Sequence, residues 1–124
     1  MRKVALGIDI GGTNTAFGLI TSEGEVLFED SVSTKAHAEP QTLVLELLEK
    51  LKDKPGFSEL VGIGIGAPNG NVFTGNIEFA PNLLWKGIVP IAQLFSQAFN
   101  VPAILANDAN AAAVGEHLFG CAKK

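Results

Sequence analysis

Two mostly apolar runs, residues 4–10 (Val-Ala-Leu-Gly-Ile-Asp-Ile) and residues 15–20 (Thr-Ala-Phe-Gly-Leu-Ile), are separated only by Gly11-Gly12-Thr13-Asn14. Each run has the length of one strand, and such apolar strands belong in the middle of a sheet rather than on a wet face. Two glycines and an asparagine between them are the chemistry of a tight turn, so the chain is expected to open as a buried hairpin. Ser22-Glu23-Gly24 makes a second turn, and residues 25–33 alternate loosely as a third strand. The beginning therefore reads as an antiparallel meander.

After that the period changes. Leu43, Val44, Leu47, Leu48 and Leu51 share one helical face, Pro40 suits the first turn, and Pro55-Gly56 marks a stop. Residues 60–66 (Leu-Val-Gly-Ile-Gly-Ile-Gly) read as a fourth strand. Residues 67–86 are expected to be irregular, a loop length that in a compact domain usually serves function. Ile88, Ile91, Ala92, Phe95 and Phe99 define a second helix, residues 102–106 a fifth strand, and Asn107-Asp108 opens a third helix running to Phe119. Strands separated by helices imply parallel crossovers. The expected class is α/β: one domain, residues 1–124, with a mixed five-stranded sheet of three antiparallel strands followed by parallel strands alternating with helices.

Nine Lys and Arg against thirteen Asp and Glu leave a net charge of −4. That balance argues against nucleic acid as a partner, because phosphate backbones need a clustered basic face. No apolar run approaches the roughly 20 residues of a membrane helix. Arg2-Lys3 resembles the basic start of a signal peptide, but Asp9 breaks the run that follows, so a cytoplasmic protein is expected. The one cysteine, Cys121, excludes an intramolecular disulfide and a four-cysteine zinc site within these residues.

Three stretches carry possible chemistry. Asp9-Ile10-Gly11-Gly12-Thr13-Asn14 can bring successive backbone N–H groups onto an anion, with the Thr13 hydroxyl beside them and Asp9 holding a hydrated Mg²⁺; it can equally be a plain Gly-Gly turn with an incidental aspartate. No Gly-Lys-Ser/Thr follows, so it is not a Walker loop. Gly62-Ile63-Gly64-Ile65-Gly66 echoes a dinucleotide fingerprint with the wrong spacing. The loop beyond it holds Asn69, Asn71, Asn76 and Asn82, whose amides suit either a polyhydroxyl ligand or turns. Asn107-Asp108-Ala109-Asn110 lies where a strand hands over to a helix, a place that suits a ligand-binding pair or an N-cap. Trp85 is expected to pack the long loop down, and His37, His117 and Cys121 carry no ligand spacing.

Residues 9–13, then Gly64-Ile65-Gly66-Ala67-Pro68, then Ala80-Pro81-Asn82-Leu83-Leu84-Trp85, then Asn107-Asp108-Ala109-Asn110 together resemble the ROK family of sugar kinases and sugar-responsive regulators, its bacterial glucokinase-type members most of all. The resemblance spans nearly the whole chain but only the first of the family's two ribonuclease-H-like lobes, a fold similar to hexokinase and actin. It implies that Gly11, Gly12 and Thr13 form a phosphate loop for ATP with Asp9 near the metal, that Gly66, Asn82 and Asn107 line a sugar pocket, and that Asp108 is the catalytic base. Asn69 stands where many members carry a glycine. The family's second phosphate loop, adenosine pocket and cysteine-rich zinc site correspond to positions beyond Lys124. The implied activity is ATP-dependent phosphorylation of a hexose, glucose first. A homo-oligomer is expected on a separate ground, because apolar surface around Val114, Leu118 and Phe119 that a second lobe would cover favours self-association. The alternative is the sugar-sensing domain of a ROK-type transcriptional regulator, whose DNA-binding segment would precede the first strand, where only three residues stand.

Overall fold

The computed structural model describes residues 3–71, 73–81 and 83–106. Strands β1 (Val4–Ile10), β2 (Asn14–Thr21) and β3 (Val26–Ser33) form the expected antiparallel meander. Helix α1 (Pro40–Leu51) leads to β4 (Leu60–Gly66), which lies parallel to β1. Helix α2 (Ile91–Phe99) leads to the strand β8 (Ala103–Ala106), parallel to β4. The five-stranded sheet has the order β3-β2-β1-β4-β8.

Cross-strand register divides this sheet into two unlike faces. Leu6 sits beside Leu19 and Ile63, and Ile8 beside Phe17 and Ile65. These side chains form one buried cluster with Leu43, Leu47 and Leu51 of α1 and Ile91, Phe95 and Phe99 of α2. Both helices therefore cover the face of large aliphatic and aromatic residues, and burying each such side chain contributes about 1.5–3 kcal/mol. The alternate positions of β4 are glycines, and those of β1 include Ala5 and Gly7. Gly7 pairs with Gly18 on one side and Gly64 on the other, and Ala5 pairs with Gly62. These small residues are buried as well, Ala5 at 0% exposure.

Local chemistry sets the ends of the elements. Pro40 occupies the start of α1, where its missing N–H costs no helical hydrogen bond. The helix stops at Leu51, before Pro55, and the chain then turns through Gly56 at φ +91°, where a Cβ would lie 2.6 Å from Leu27 Cδ1. Helix α2 ends on Asn100 in the left-handed region (φ 60°), its N–H donating to the Ser96 carbonyl.

Two expectations need correction. Residues 67–86 are not wholly irregular. Strands β5 (Gly70–Asn71) and β6 (Asn76–Glu78) pair with each other, and β6 pairs with β7 (Ile88–Val89) in a small antiparallel sheet. Ile88 is consequently a strand residue opposite Glu78 and exposed, not the first apolar residue of α2. Pro90 is the reason: the residue before a proline is driven from helical to extended backbone, so the helix begins only at Ile91. The third helix expected from Asn107 to Phe119 lies outside the described residues. Among the described residues no helix is long and apolar enough to cross a membrane.

Candidate functional site

The carboxyl ends of the three parallel strands meet in one row. Asp9 is the register partner of Gly66, and Gly66 of Ala106; on the other side Asp9 pairs with Ala16. A row across a sheet shares one face, so the Asp9 carboxylate stands between residues bearing a methyl group and a hydrogen. Its exposure follows from those small neighbours, although the rest of β1 is buried. Ligands of parallel sheets gather at this edge.

Beside the row the β1–β2 turn rises as a two-residue tip, Gly12-Thr13. It is closed below by a 2.9 Å hydrogen bond from the Gly11 N–H to the Asn14 carbonyl. Gly11 is needed there for space: a Cβ would meet the Asn14 carbonyl oxygen at 2.9 Å. Neither Gly11 nor Gly12 has positive φ. Of the three residues assigned to a phosphate loop, Gly11 thus has its N–H committed inside the turn. The N–H groups of Gly12 and Thr13 and the Thr13 hydroxyl donate to no described residue. Those donors suit an anion.

The tip is held from behind. Thr34, just past β3, donates its N–H to the Thr13 carbonyl over 2.8 Å, and its hydroxyl lies 2.6 Å from that of Thr15. Both threonine side chains are buried, so each hydroxyl satisfies the other. Sequence reasoning missed Thr34; the signal it offered was Thr15, a polar residue at an inward position of an apolar strand.

The segment from Thr34 to Glu39 is itself anchored. The His37 N–H donates to the Thr34 carbonyl at 3.1 Å. The His37 ring bridges to α1, with Nδ1 2.8 Å from Thr42 Oγ1 and Nε2 2.5 Å from Glu46 Oε1. The Thr42 hydroxyl donates to the Glu39 carbonyl, so toward His37 it accepts. Trp85, 4% exposed, donates its indole N–H to the His37 carbonyl at 3.1 Å. Trp85 packs the long loop down as expected, and it does so onto this segment.

The amides of the long loop divide. Asn69, at φ 55°, donates through Nδ2 to the carbonyls of Glu78 and Phe79. Asn71 accepts from the N–H groups of Phe73 and Thr74 and donates to the Glu78 carboxylate. Both are turn residues whose hydrogen-bonding capacity is used within the loop. Asn82, Asn107 and Asp108 lie outside the described residues; in sequence, Asn107 follows Ala106 directly. Among the described residues no three His, Cys, Asp or Glu side chains cluster as a metal cage. A single exposed carboxylate with small neighbours, such as Asp9, does fit Mg²⁺, which keeps most of its waters and takes one or two carboxylates plus substrate phosphates.

Comparison with known proteins places the chain in a family. Residues 5–124 match the model of the ROK family. A glucokinase of Streptomyces coelicolor is 34% identical over 121 residues, covering 97% of this chain and 37% of that protein. A xylose repressor of Caldicellulosiruptor bescii is 36% identical over 121 residues, covering 93% and 30%. The crystal structure of a ROK family glucokinase from Streptomyces griseus, in complex with glucose and AMPPNP, superposes with a TM-score of 0.71 at 31% identity, over 95% of this chain and 37% of that one. The chain thus spans between 30% and 37% of the length of these relatives.

Proposed function

The chain belongs to the ROK family, and on that footing we propose that it is the N-terminal lobe of a two-lobed, ATP-dependent sugar kinase that phosphorylates a hexose, glucose first. The observation that carries this reading is the adjacency of two features at one sheet edge: the donor-bearing Gly12-Thr13 tip and the row Asp9–Gly66–Ala106. An anion held by the tip lies at the carboxyl end of β1, on the same sheet edge as the end of β8 two strands along, from which the chain runs into Asn107-Asp108.

In this reading the N–H groups of Gly12 and Thr13 and the Thr13 hydroxyl hold ATP phosphates, with Gly11 keeping the turn narrow. Asp9 holds the water shell of Mg²⁺, which when bound supplies positive charge beside the phosphates. Gly66, Asn82 and Asn107 line the sugar pocket, where a glycine leaves room for a ring against the backbone. Asp108 accepts the proton of the attacking sugar hydroxyl as its oxygen bonds to the γ-phosphorus and the bond to the β-phosphate bridging oxygen breaks, releasing ADP. The second lobe supplies the adenosine pocket and closes over the site to exclude water. The protein works in the cytoplasm as a homo-oligomer, with neither nucleic acid nor membrane as a partner.

The similarity to a xylose repressor favours a second reading, a sugar-sensing domain without turnover. A coupled assay of ADP release by the full-length protein with glucose and other hexoses separates the two. Sugar-dependent ADP release supports the kinase; tight sugar binding without it supports the sensor.

A further inference from the structure

Three side-chain contacts fasten the segment between β3 and α1 to that helix. His37 Nδ1 lies 2.8 Å from Thr42 Oγ1, His37 Nε2 lies 2.5 Å from Glu46 Oε1, and the Thr42 hydroxyl lies 2.9 Å from the Glu39 carbonyl oxygen. The His37 side chain is only 11% exposed, so water does little to replace a lost partner.

These contacts can be counted in hydrogens. A carbonyl and a carboxylate only accept, a threonine hydroxyl brings one hydrogen, and a neutral imidazole brings one. A neutral His37 beside an ionised Glu46 therefore offers two hydrogens for three contacts. Either the Nε2 lone pair faces the carboxylate, or Thr42 turns its hydrogen to Nδ1 and abandons the Glu39 carbonyl. One further proton, held between Nε2 and Oε1, completes all three. The close approach of those two atoms fits a charge-assisted bond, not two facing lone pairs. Other charges stand further out. Lys35 and Glu39 of the same segment, Lys50 one turn along α1 from Glu46, and Lys86 beside Trp85 are all exposed. The long loop meets His37 through the neutral Trp85 indole, and the β1–β2 hairpin meets the segment through Thr13 and Thr15, which do not titrate.

The other end of the segment supports the phosphate tip. The Thr34 N–H holds the Thr13 carbonyl at 2.8 Å, and a 3.1 Å bond from the His37 N–H to the Thr34 carbonyl folds the two residues into one turn. We propose that His37, Thr42 and Glu46 form a proton-operated latch on this segment: with the proton bound it holds the turn behind the tip in place, and without it the His37 end is released. The shut form binds one proton more than the open form, so it is favoured at low pH and lost as pH rises. His37, Thr42 and Glu46 are positioning residues that act on the tip through Thr34. The latch stands on its own contacts; its effect on nucleotide rests on the kinase reading.

The deciding variant is Glu46→Gln. Its amide brings its own hydrogen to Nε2, so all three contacts form around a neutral ring and the latch stays shut at any pH. Hydrogen exchange of the full-length protein, read by mass spectrometry over residues 34–39 and corrected for the intrinsic rate at each pH, follows the segment directly. Between about pH 5 and about pH 8, where histidine titrates, wild-type protection should fall by about ten-fold or more, and that of Glu46→Gln should stay level. Over the same range the wild type should lose about five-fold or more in affinity for a non-hydrolysable ATP analogue, beyond any change in Glu46→Gln, which reports the titration of the nucleotide itself. Level protection in the wild type, or a fall in Glu46→Gln that matches it, would overturn the latch. Protection as expected beside nucleotide affinities that respond to pH alike in both proteins would overturn its hold on the tip. Protection as expected with no binding of the analogue by either protein would support the latch and remove the kinase reading.

Discussion

Asp9 and Gly66 are direct neighbours across the parallel β1–β4 pair, with the carboxylate of one flanked by the bare Cα of the other. That pairing puts the proposed phosphate and sugar positions on neighbouring strands. Gly66→Val in the full-length protein should therefore weaken glucose binding by at least about ten-fold, with nucleotide affinity changed much less, because the branched side chain would enter the face that Asp9 occupies. Calorimetry with each ligand alone checks this; equal losses would mean that the strand pair itself had been disturbed.

Gly11→Ala tests the turn. Its Cβ would sit 2.9 Å from the Asn14 carbonyl, so the two-residue tip must open. Overpacking of this kind costs about 1–3 kcal/mol. Nucleotide affinity should drop by roughly the same free energy if the tip holds phosphate, while glucose affinity measured without nucleotide should hold. The readout is a nucleotide titration beside a urea melt.

The buried threonine pair predicts a non-additive cycle. Thr15→Val leaves the Thr34 hydroxyl buried without its partner, at a cost of about 1–3 kcal/mol. Replacing both threonines with valine removes both polar groups together and should recover much of that loss. Urea unfolding of the two single variants and the double variant measures the coupling. Additive losses would show that the 2.6 Å contact stabilises nothing.

Asp108→Asn addresses the chemistry. If Asp108 accepts the hydroxyl proton, turnover should fall by about two to four orders of magnitude while glucose binding survives, since the amide has nearly the same shape. Near-normal turnover would take Asp108 out of that role.

The 124-residue chain by itself should phosphorylate no sugar above background. Alignment of reacting groups is worth roughly 7–11 kcal/mol, and one lobe cannot enforce it between two substrates. A coupled assay with purified chain, ATP, Mg²⁺ and glucose checks this directly.

How far these features could be read from the residues follows from what kind of atom makes them. The β1–β2 hairpin, α1 and β4 are carried by side chains at a repeating period, and their positions came out within a residue or two. Strands β5, β6 and β7 are two or three residues long, too short to show any period, and were hidden in a stretch read as loop. Ile88 kept helical spacing with Ile91 and Ala92, and only the backbone rule imposed by Pro90 removed it from α2. The glycines of the tip were legible; the commitment of the Gly11 N–H to Asn14 was not, because every residue carries that group. The anchoring of the segment from Thr34 to Glu39 escaped notice for the same reason, being built from peptide groups, one threonine pair and an indole far away in sequence.

The two faces of the sheet set different rules for inheritance. Along β1, Leu6, Ile8 and Ile10 face helices that can shift to accommodate another aliphatic, so mutations there can be exchanged for one another over generations with modest loss. Gly7, one residue away, lies between Gly18 and Gly64 and has no smaller residue to retreat to. A library of random variants of this lobe, selected for function, should therefore come back striped: varied at every second position of β1 and nearly silent between.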